Sequence, residues 1–511
     1  MTFNIKSIAI IGAGPAGIAS LYEFLHTNAD GTSTVGGARS ADPAFTKVVA
    51  FEQKDKAGGI WAPSFDEADY PLPPQNLLNT HHYNDPDVIH PPEPLPQNLE
   101  LVTVEAPLVK PSTSKELQWS RSGVYSDLFT NVPNRFTRFS YLKHNESFSD
   151  KTRLIYPFLS GAELTSSIEQ FVETEGLNEY IRTHTRVENI QRKNGKWKVT
   201  ARRSGIESEE WYTEEFDAVV VSNGHYTVPS IPFIPGLAEF NDAHPGVLIH
   251  SKSYRSTALF KDKKVLFVGG GISTVNLLQY AYPVAKSVTV SKRGPTPFFP
   301  WMNQAVESEG ITSKPTIDRF LSETNEVLFS DGTKETGFDV VIFTTGYHYH
   351  YPFLEKYLTV NNPSSQGRVS GLFHDTFSIE EPTLGTVGIA ISILNFHTIE
   401  ASASALAGVW SNAKKLPSQE EQERWVEEQV EVKGSTYLFH CHHHDSVKAQ
   451  FVDPLHQLAA VGRSNPLEVD GAHLGDIEQS FESMERLFYR LKTGEITPSD
   501  TLLLSQVHSK F

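Results

Sequence analysis

The feature that most constrains this chain is a glycine-rich turn that occurs twice, each time between an apolar run and a helix-like segment. The copies are Gly12-x-Gly14-x-x-Gly17, within the stretch IAIIGAGPAGIAS, and Gly269-x-Gly271-x-x-Thr274. Such glycines allow a tight turn, a close approach of a pyrophosphate to the backbone, and close packing of helix on strand. The helix then offers free N–H groups and a positive dipole end to phosphate. The sequence therefore predicts two dinucleotide-binding units.

The first copy is predicted to be a β-α-β unit. Its strands are expected over Ser7–Ile11 and Lys47–Gln53, its helix over Pro15–His26, and a flexible Gly/Ser-rich loop over Asn28–Thr46. Glu52, near the end of the second strand, is an acid that can accept hydrogen bonds from ribose hydroxyls. Its offset from the glycines exceeds the usual spacing of about 20 residues, and the inserted loop accounts for the excess. This acidic site is predicted to bind FAD or NAD.

The second copy covers Lys263–Ala281 and leads into a strand that ends in Ser291, Lys292 and Arg293. An acid there would repel a 2′-phosphate, whereas Lys292 and Arg293 would pair with it. We therefore predict an NADPH site, with a solvated basic turn as the alternative. Thr274 replaces the third glycine, which should hold the helix slightly further from its strand.

The fold class that follows is α/β, with two Rossmann-like domains and the NADPH domain inserted in the FAD domain. A strand near 216–224 is expected to leave the first domain, and one near 338–346 to return to it. The predicted boundaries are 1–227 for the first part of the FAD domain, 228–343 for the NADPH domain, and 344–511 for the remainder with a mostly helical extension. Between Tyr70 and Pro111 there are ten prolines, which predict a long surface excursion.

Composition excludes several functions. The net charge of −17 disfavours nucleic acid or an anionic membrane as a partner. A single cysteine, Cys441, rules out dithiol–disulfide exchange within the chain and fits a reducing compartment. There is no apolar run of about 18 residues to span a membrane and no signal peptide pattern. We expect a cytoplasmic protein; the alternative is a peroxisomal one, since Ser509-Lys510-Phe511 differs by one residue from the Ser-Lys-Leu signal.

Taken in order, the motifs resemble the flavin-containing monooxygenase family in its soluble fungal form, over about residues 7–410. Besides the two glycine turns and Glu52, they are Gly58-Gly-Ile-Trp61, Tyr125-Ser-Asp-Leu-Phe-Thr-Asn131, the segment HSKSYR with His250 and Tyr254, and TTGY at 344–347. The chain departs from the family's pattern at His244, where its identifying motif has Phe, and in the long stretches 28–46 and 70–111. The second stretch leaves the substrate open.

The resemblance implies that NADPH reduces FAD, that O₂ adds to give a flavin C4a-hydroperoxide, and that a nucleophilic sulfur or amine nitrogen of a small-molecule substrate is oxygenated. It implies that the Asn131 amide is catalytic and that His250 and Tyr254 clamp the nucleotide at the domain junction. The residues expected at FAD are Gly12, Gly14, Pro15, Ala16, Gly17, Glu52, Gly59, Trp61, Thr130 and Asn131. Those expected at NADPH are Gly269, Gly271, Ser273, Thr274, Ser291, Lys292, Arg293, His250 and Tyr254.

Several alternatives stay open. A Baeyer–Villiger monooxygenase shares the fold, but its motif ends in Trp-Pro where this chain has Tyr254-Arg255. An N-hydroxylase would need a dedicated amino-acid site, and a non-catalytic flavin-binding protein is the alternative from a different class. The cluster His440–Asp445 looks like a metal site but lacks a second ligand pair, so a solvated or packed turn and no metal are predicted. The acidic run 420–431 is expected to be a solvated helix face, and the helical tail either packs on the domains or joins copies of the chain in a homo-oligomer.

Overall fold

The computed structural model describes residues 2–63, 70–112, 119, 121–296, 299–354, 356–362, 366–469 and 475–501. The strands are β1 Ser7–Ile11, β2 Lys47–Phe51, β3 Leu108–Pro111, β4 Ile181–Arg182, β5 Thr185–Lys193, β6 Lys196–Ser204, β7 Ser208–Phe216, β8 Ala218–Val221, β9 Leu248–His250, β10 Lys264–Val268, β11 Ser287–Ser291, β12 Ile311–Lys314, β13 Ile317–Leu321, β14 Glu326–Phe329, β15 Lys334–Thr336, β16 Val340–Phe343, β17 Thr359–Val360, β18 Val369–Ser370, β19 Leu372–Phe373, β20 Phe377–Ser378 and β21 Leu384–Thr386. The helices are α1 Pro15–Leu25, α2 Gln75–Leu78, α3 Pro86–Ile89, α4 Gly161–Thr174, α5 Leu237–Ala243, α6 Ile272–Ala281, α7 Pro300–Val306, α8 Asn395–Trp410, α9 Gln419–Lys433, α10 Asp453–His456 and α11 Gly475–Lys492.

The first sheet has the strand order β19-β20-β21-β8-β1-β2-β4, and its central strands are parallel. Alternate side chains of β1 enter different cores, as the period of two requires. Ile8 and Ile10 pack with α1 and α8 on one face, while Ala9 and Ile11 face the antiparallel sheet β3-β7-β6-β5 on the other. Because both faces are covered, the strands are apolar throughout, as expected for a buried parallel sheet.

The second sheet has the order β12-β11-β10-β16-β9 and is entirely parallel. Its strands lie between β8 and β19 of the first sheet in the sequence, so one sheet is nested within the other. Helices α6 and α7 cover one face, and α5 with the small antiparallel sheet β13-β14-β15 covers the other. The predicted α/β fold with two Rossmann-like units is therefore confirmed.

Local signals were predicted well. The Ser160 side chain accepts from the Glu163 N–H and completes a capping box at the start of α4. Asn194 and Gly195, both with positive φ, form the turn between β5 and β6. The Ser418 side chain caps α9 in the same way. The acidic residues of α9 are exposed, as predicted, and the helix contacts the rest of the protein through Trp425, which packs against His374.

Three predictions need correction. The strand near 338–346 does not return to the first sheet: β16 lies inside the second sheet, and β21 makes the return by pairing with β8. The C-terminal region is less helical than predicted, because β17–β21 lie within it. Helix α11 packs on α6 and α7 of the second unit, whereas the prediction attached the tail to the first.

The two long insertions also differ from expectation. The stretch 28–46 is irregular but held by backbone hydrogen bonds, including Asn28 to Thr32 and Ser33 to Val461. The stretch 70–111 contains α2, α3 and β3, and β3 pairs with β7 despite the prolines. Pro111 is tolerated because it ends an edge strand. Within the described part of the chain, no helix has the length and apolar character needed to cross a membrane.

Candidate functional site

The first glycine turn joins β1 to α1 and is shaped by close backbone contacts. Gly12 has φ +99°, and a Cβ on Gly17 would lie 1.9 Å from the Gly12 carbonyl oxygen. The Ser222 hydroxyl, which follows β8, donates to the carbonyl oxygens of Ile11 and Gly12 at 2.9 and 3.0 Å. The third glycine therefore does what was predicted, since only a residue without Cβ fits between helix and strand.

Helix α1 begins with an open N-terminus. Gly14 is its N-cap and Pro15 its first residue, and no side chain of the described residues caps it. The first-turn N–H groups of a helix have no partner within the helix, so they are available to a phosphate. Ala16 in this turn lies 3.2 Å from where a Cβ on Gly388 would be. The segment after β21 therefore borders the same site.

Glu52 is buried and turned toward the glycine turn. Its two carboxylate oxygens accept from the N–H groups of Ala13 and Lys54, both at 2.9 Å. Burial raises the pKa of Glu52, and these hydrogen bonds oppose that rise. An ionised carboxylate has about four acceptor positions, so two remain for ribose hydroxyls. Glu52 thus holds the turn in shape and keeps the acceptor capacity predicted for it.

The Gly58–Trp61 loop lies against the first glycine turn. Gly58 donates to the Ala13 carbonyl oxygen at 2.8 Å, and a Cβ on Gly59 would come within 2.8 Å of Gly14 Cα. Gly59–Trp61 forms a 3₁₀ turn, with Trp61 packed against the core around α1. The two glycine loops therefore meet back to back at the carboxyl edge of the first sheet.

Thr130 and Asn131 have different environments. The Thr130 hydroxyl donates to the Val132 carbonyl oxygen at 2.9 Å and accepts from the Leu159 N–H at 3.1 Å, so it fixes its own loop. The Asn131 side chain is half-buried, and its amide bonds to no residue that the structure describes. An amide that is partly buried and unpaired is costly unless a ligand or water satisfies it. Asn131 is therefore the one of the two with free hydrogen-bonding capacity.

The second glycine turn repeats the first with a substitution. A Cβ on Gly271 would meet no described heavy atom within 4 Å, and the Ser273 hydroxyl beside it bonds to no described residue. This is an open cradle at the N-terminus of α6. Thr274 is fully buried, and its hydroxyl bonds to that of Thr344 at 2.7 Å. The Thr344 hydroxyl also donates to the Val268 carbonyl oxygen, just as the Ser222 hydroxyl donates to that of Ile11 in the first unit. The Thr274 side chain is therefore used to pack α6 on its sheet and does not face the cradle.

The basic residues after β11 are not equivalent. Ser291 is buried, and its hydroxyl donates to the Pro315 carbonyl oxygen at 2.8 Å, so it is directed away from the turn. The Lys292 side chain passes within 3.2 Å of a Cβ placed on Gly270, and its ammonium pairs with Glu307 at 2.6 Å. Arg293 is exposed beside it. Lys292 therefore lies against the second glycine turn, and Arg293 follows it in the chain; their role at a 2′-phosphate stays a prediction.

His250 and Tyr254 are completely buried, which changes the role predicted for them. His250 Nδ1 accepts from the Lys252 N–H at 3.1 Å, so Nε2 carries the proton and donates to the Gly346 carbonyl oxygen at 3.1 Å. Burial lowers the pKa of His250 to about 3. The Tyr254 ring packs edge-on against Tyr125, with ring centres 4.9 Å apart. Both side chains therefore fix the junction between the sheets and do not clamp a ligand directly.

The His440–Asp445 cluster is packed and not solvated at its core. His440 Nδ1 donates to Asp375 at 2.8 Å and its Nε2 accepts from the Val369 N–H at 2.9 Å. Although burial raises the pKa of Asp375, His440 and His442 bring it well below its usual range. Burial raises the pKa of Cys441 to about 12, which is unsuited to a nucleophile. Among the described residues, no three His, Cys, Asp or Glu side chains are grouped to hold a metal.

Sequence reasoning missed Ser222, Thr344 and Lys252. Ser222 and Thr344 follow the strands that pair with β1 and β10, so their position could have been found from the repeat of strand endings at 224 and 346. Lys252 is buried, and its ammonium donates to the carbonyl oxygens of Trp119 and Thr227, both at 2.7 Å. Nothing in the segment HSKSYR distinguishes that lysine from a surface one.

Each of the two nested sheets carries a glycine turn that leads into a helix whose N-terminus no described side chain caps. This is the architecture of Rossmann-like nucleotide-binding folds. A family model described as flavin-binding monooxygenase-like matches residues 113–311 and 302–470. The flavin-containing monooxygenase iboF of Amanita muscaria is 28% identical over 476 residues, covering 81% of this chain and 80% of that protein. Trimethylamine monooxygenase of Roseovarius sp. is 28% identical over 426 residues, covering 83% and 79%.

The solved structure of S-allyl-L-cysteine S-oxygenase from Allium sativum has the same fold, with a TM-score of 0.66 at 23% identity and 100% of both chains covered. The chain belongs to the flavin-binding monooxygenase-like family. It is therefore a flavoprotein monooxygenase, as the order of its motifs indicated.

Proposed function

We propose that this protein is an NADPH- and FAD-dependent monooxygenase that transfers one oxygen atom of O₂ to a nucleophilic sulfur or amine nitrogen. The observation that carries the proposal is the contrast between the two glycine turns. An acid, Glu52, supports the first, and Lys292 with Arg293 lies at the second. A carboxylate suits the ribose of a nucleotide without a 2′-phosphate, and cations suit one that has it.

For FAD, the pyrophosphate would lie at the N-terminus of α1, at Gly14, Pro15 and Ala16. No described side chain caps this end of the helix, so its N–H groups are available to a phosphate. Glu52 would accept from the ribose. Trp61 belongs to the loop that packs on the first glycine turn, and the resemblance to the family suggests both Trp61 and Asn131 as residues that border the flavin. The first turn fits this group because its glycines leave room for the backbone to approach phosphate.

For NADPH, the pyrophosphate would lie in the open cradle at Gly271, with the Ser273 hydroxyl as a donor. Lys292 and Arg293 would pair with the 2′-phosphate. Thr274, Ser291, His250 and Tyr254 would act through packing, because their side chains are buried or already hydrogen-bonded.

The flavin, when bound, supplies the electron transfer from NADPH to O₂ and the transfer of one oxygen atom, with the second atom leaving as water. The chain's own residues would orient the cofactors and exclude water from the reacting atoms. The Asn131 amide can donate and accept at the same time, which suits it to hold a polar edge of a cofactor. His250 is held neutral, so it serves no proton transfer near neutral pH. This division agrees with the absence of a paired acid and base among the predicted site residues.

The substrate class is drawn from the family and from a relative. Trimethylamine monooxygenase, named for an amine substrate, aligns with most of this chain. A Baeyer–Villiger monooxygenase or an N-hydroxylase of the same fold is the second candidate. Arg255, which stands where the Baeyer–Villiger motif has Pro, donates to the carbonyl oxygens of Lys252, Tyr254 and Ser122. A proline could not make these bonds, which favours the first candidate.

The domain boundaries proposed from the sequence, 1–227, 228–343 and 344–511, place the cofactors in separate units. A cytoplasmic location, the absence of a nucleic-acid partner and a homo-oligomer formed by the tail stay proposals. The peroxisomal alternative depends on Ser509-Lys510-Phe511, which lie outside the described residues.

The test is a substrate and coenzyme assay on the purified protein. We expect flavin absorbance, aerobic NADPH oxidation, and oxygenated product from a thioether or tertiary amine. A protein without flavin and without NADPH oxidation would be the non-catalytic alternative. Preferred formation of an ester or lactone from a ketone would place it in the Baeyer–Villiger class.

A further inference from the structure

Two stretches of chain connect the nested sheets, and they lie side by side. Linker one, residues 222–231, follows β8, and linker two, residues 344–350, follows β16. The Ser230 N–H donates to the Gly346 carbonyl oxygen, and the His348 N–H to that of Val228, both at 2.9 Å. The linkers therefore form one narrow antiparallel ribbon. A change in the angle between the two nucleotide-binding units would therefore distort this ribbon.

A third segment crosses this ribbon. Residues 70–90, which we call the strap, leave the first unit after the Gly58–Trp61 loop and insert into the second. Leu72, Leu78 and Tyr83 of the strap are buried in the core that contains Leu237, Phe240 and Leu248. The carbonyl oxygen of Pro71 accepts from the His250 N–H at 2.7 Å, so the strap extends the edge of the second sheet at β9.

The strap then ties both linkers at a single atom. Asn84 Oδ1 accepts from the Ile231 N–H of linker one at 2.6 Å and from His348 Nε2 of linker two at 2.9 Å. Asn84 is buried. Three residues further on, Asp87 accepts from His350 Nε2 at 3.1 Å. These contacts join elements that are separated by more than a hundred residues in the chain.

The strap returns to the first unit beyond this point. His90 Nε2 accepts from the Arg186 guanidinium of β5 at 3.1 Å, and β3 then pairs with β7. Its C-terminal end is thus held by β5 of the first unit, its middle lies in the core of the second, and Asn84 contacts both linkers between them. This is the arrangement expected of a tie that sets the relative position of the two units.

We propose that the strap holds the FAD-binding and NADPH-binding units at a fixed relative position, and that Asn84 is the positioning residue through which it holds both linkers. The functional part of this proposal rests on the proposed function, because the two nucleotides must meet at the junction. A tie at the linkers would set the distance between the two glycine turns through the backbone that carries them. Its loss would let the units separate while each keeps its own fold.

The test is hydrogen–deuterium exchange on the full chain as purified, with Asn84→Leu and Asn84→Asp. In Asn84→Leu we expect peptides covering 225–235 and 344–352 to exchange about tenfold faster, while peptides of β10 stay unchanged. Asn84→Asp keeps an oxygen acceptor for both donors and should restore slow exchange. Asn84→Leu should also raise the share of NADPH electrons that ends as H₂O₂ several-fold, and Asn84→Asp should lower it again.

Gln75→Leu is the matched control. Gln75 lies in the strap, and among the described residues its side chain bonds only to Ala238 and Asn241 of the second unit and to Asn79 within the strap. It should leave exchange in the linkers unchanged. Linker exchange that is unaltered in Asn84→Leu, or raised equally in Gln75→Leu, would overturn the proposal. If Asn84→Leu does not fold, His348→Phe removes the tie to linker two alone, and faster exchange confined to 344–352 is then expected.

The exchange measurement needs no coenzyme turnover. Faster linker exchange in a protein that neither binds flavin nor oxidises NADPH would therefore reject the proposed function and leave the strap intact as a positional tie. Unaltered linker exchange in Asn84→Leu, in an enzyme that is active, would reject the strap as a positional tie and leave the proposed function intact.

Discussion

The ammonium of Lys292 lies 2.6 Å from the carboxylate of Glu307, the residue that follows helix α7 as its C-cap. The Lys292 side chain is 10% exposed and that of Glu307 is 55% exposed, so the ion pair is partly open to solvent. The Lys292 side chain also comes within 3.2 Å of a Cβ placed on Gly270, in the second glycine turn. If Lys292 binds a 2′-phosphate as proposed, Glu307 would compete with that phosphate for the same cation.

We expect Glu307→Gln to bind 2′,5′-ADP about two- to fivefold more tightly, because an exposed ion pair of this kind is worth at most about 1 kcal/mol. The affinity for 5′-ADP, which lacks the 2′-phosphate, should not change. Isothermal titration of both ligands gives the comparison, with the exposed Glu323→Gln as control. Equal changes for the two ligands would remove Lys292 from the 2′-phosphate site.

Two of the three glycines of the second turn, Gly269 and Gly271, should respond differently to a methyl group. At Gly271, φ is −89° and the Cβ position is open, so Gly271→Ala should fold with a melting temperature close to that of the unmodified protein. The added methyl group would fill the cradle and weaken 2′,5′-ADP binding about tenfold or more. At Gly269, φ is +129° and a Cβ would lie 2.5 Å from Thr344 Oγ1.

Gly269→Ala should therefore lower the melting temperature by several degrees, which corresponds to about 1–3 kcal/mol of strain and displacement. Thermal melts and ligand titration separate the two variants. Wild-type affinity in a folded Gly271→Ala would place the pyrophosphate elsewhere.

Asn131→Ala should keep flavin content and NADPH oxidation but divert oxygen to H₂O₂. The Asn131 amide bonds to no described residue, so its removal should cost little stability. Product yield and H₂O₂ formed per NADPH are the measurements. The surface variant Asn98→Ala serves as control. Full product yield in Asn131→Ala would show that another group holds the cofactor at this edge.

Burial raises the pKa of Glu23 to about 7, although its partner Arg463 opposes the rise. The unfolded carboxyl ionises near its ordinary value of 4.5, so the folded protein binds more protons between the two values. The stability that protonated Glu23 contributes is therefore complete below about pH 4.5 and is lost as the pH rises through about 7, at about 1.4 kcal/mol per pH unit.

Glu23→Gln, which has no charge to bury, should flatten this fall. Melting temperatures measured between about pH 5 and pH 8 for both proteins test it, because the difference between the curves isolates this one group. The exposed Glu420→Gln should leave the slope unchanged. Parallel curves for Glu23→Gln and the unmodified protein would contradict the prediction.

What could be predicted from the sequence is local. The bounds of β1, the capping box at Ser160 and the turn at Asn194-Gly195 agree with the structure because neighbouring residues determine them. The glycine turns were found for the same reason, since each is a short run of neighbouring residues between a strand and a helix. Within the first turn, for example, a Cβ on Gly17 would lie 1.9 Å from the Gly12 carbonyl oxygen.

The partners across long separations could not be predicted. Thr274 was expected to loosen the packing of its helix, but its hydroxyl bonds to Thr344, a residue that comes close only once β10 and β16 pair. The prolines of 70–111 concealed a segment with Leu72, Leu78 and Tyr83 in a core. His250 was predicted to clamp the nucleotide because the family motif identifies its position in the sequence. The motif does not reveal that the side chain is completely buried.

The nested order of the sheets has a consequence for how the chain is made. Strands β9 to β16 leave the ribosome before β21, so the second sheet has all its strands while β8 still lacks its neighbour. An unpaired edge of that kind invites pairing with other chains. The strap is synthesised earlier than the core that receives Leu72 and Leu78. Nascent chains that stall between residues 344 and 384 should therefore be the species that most need a chaperone.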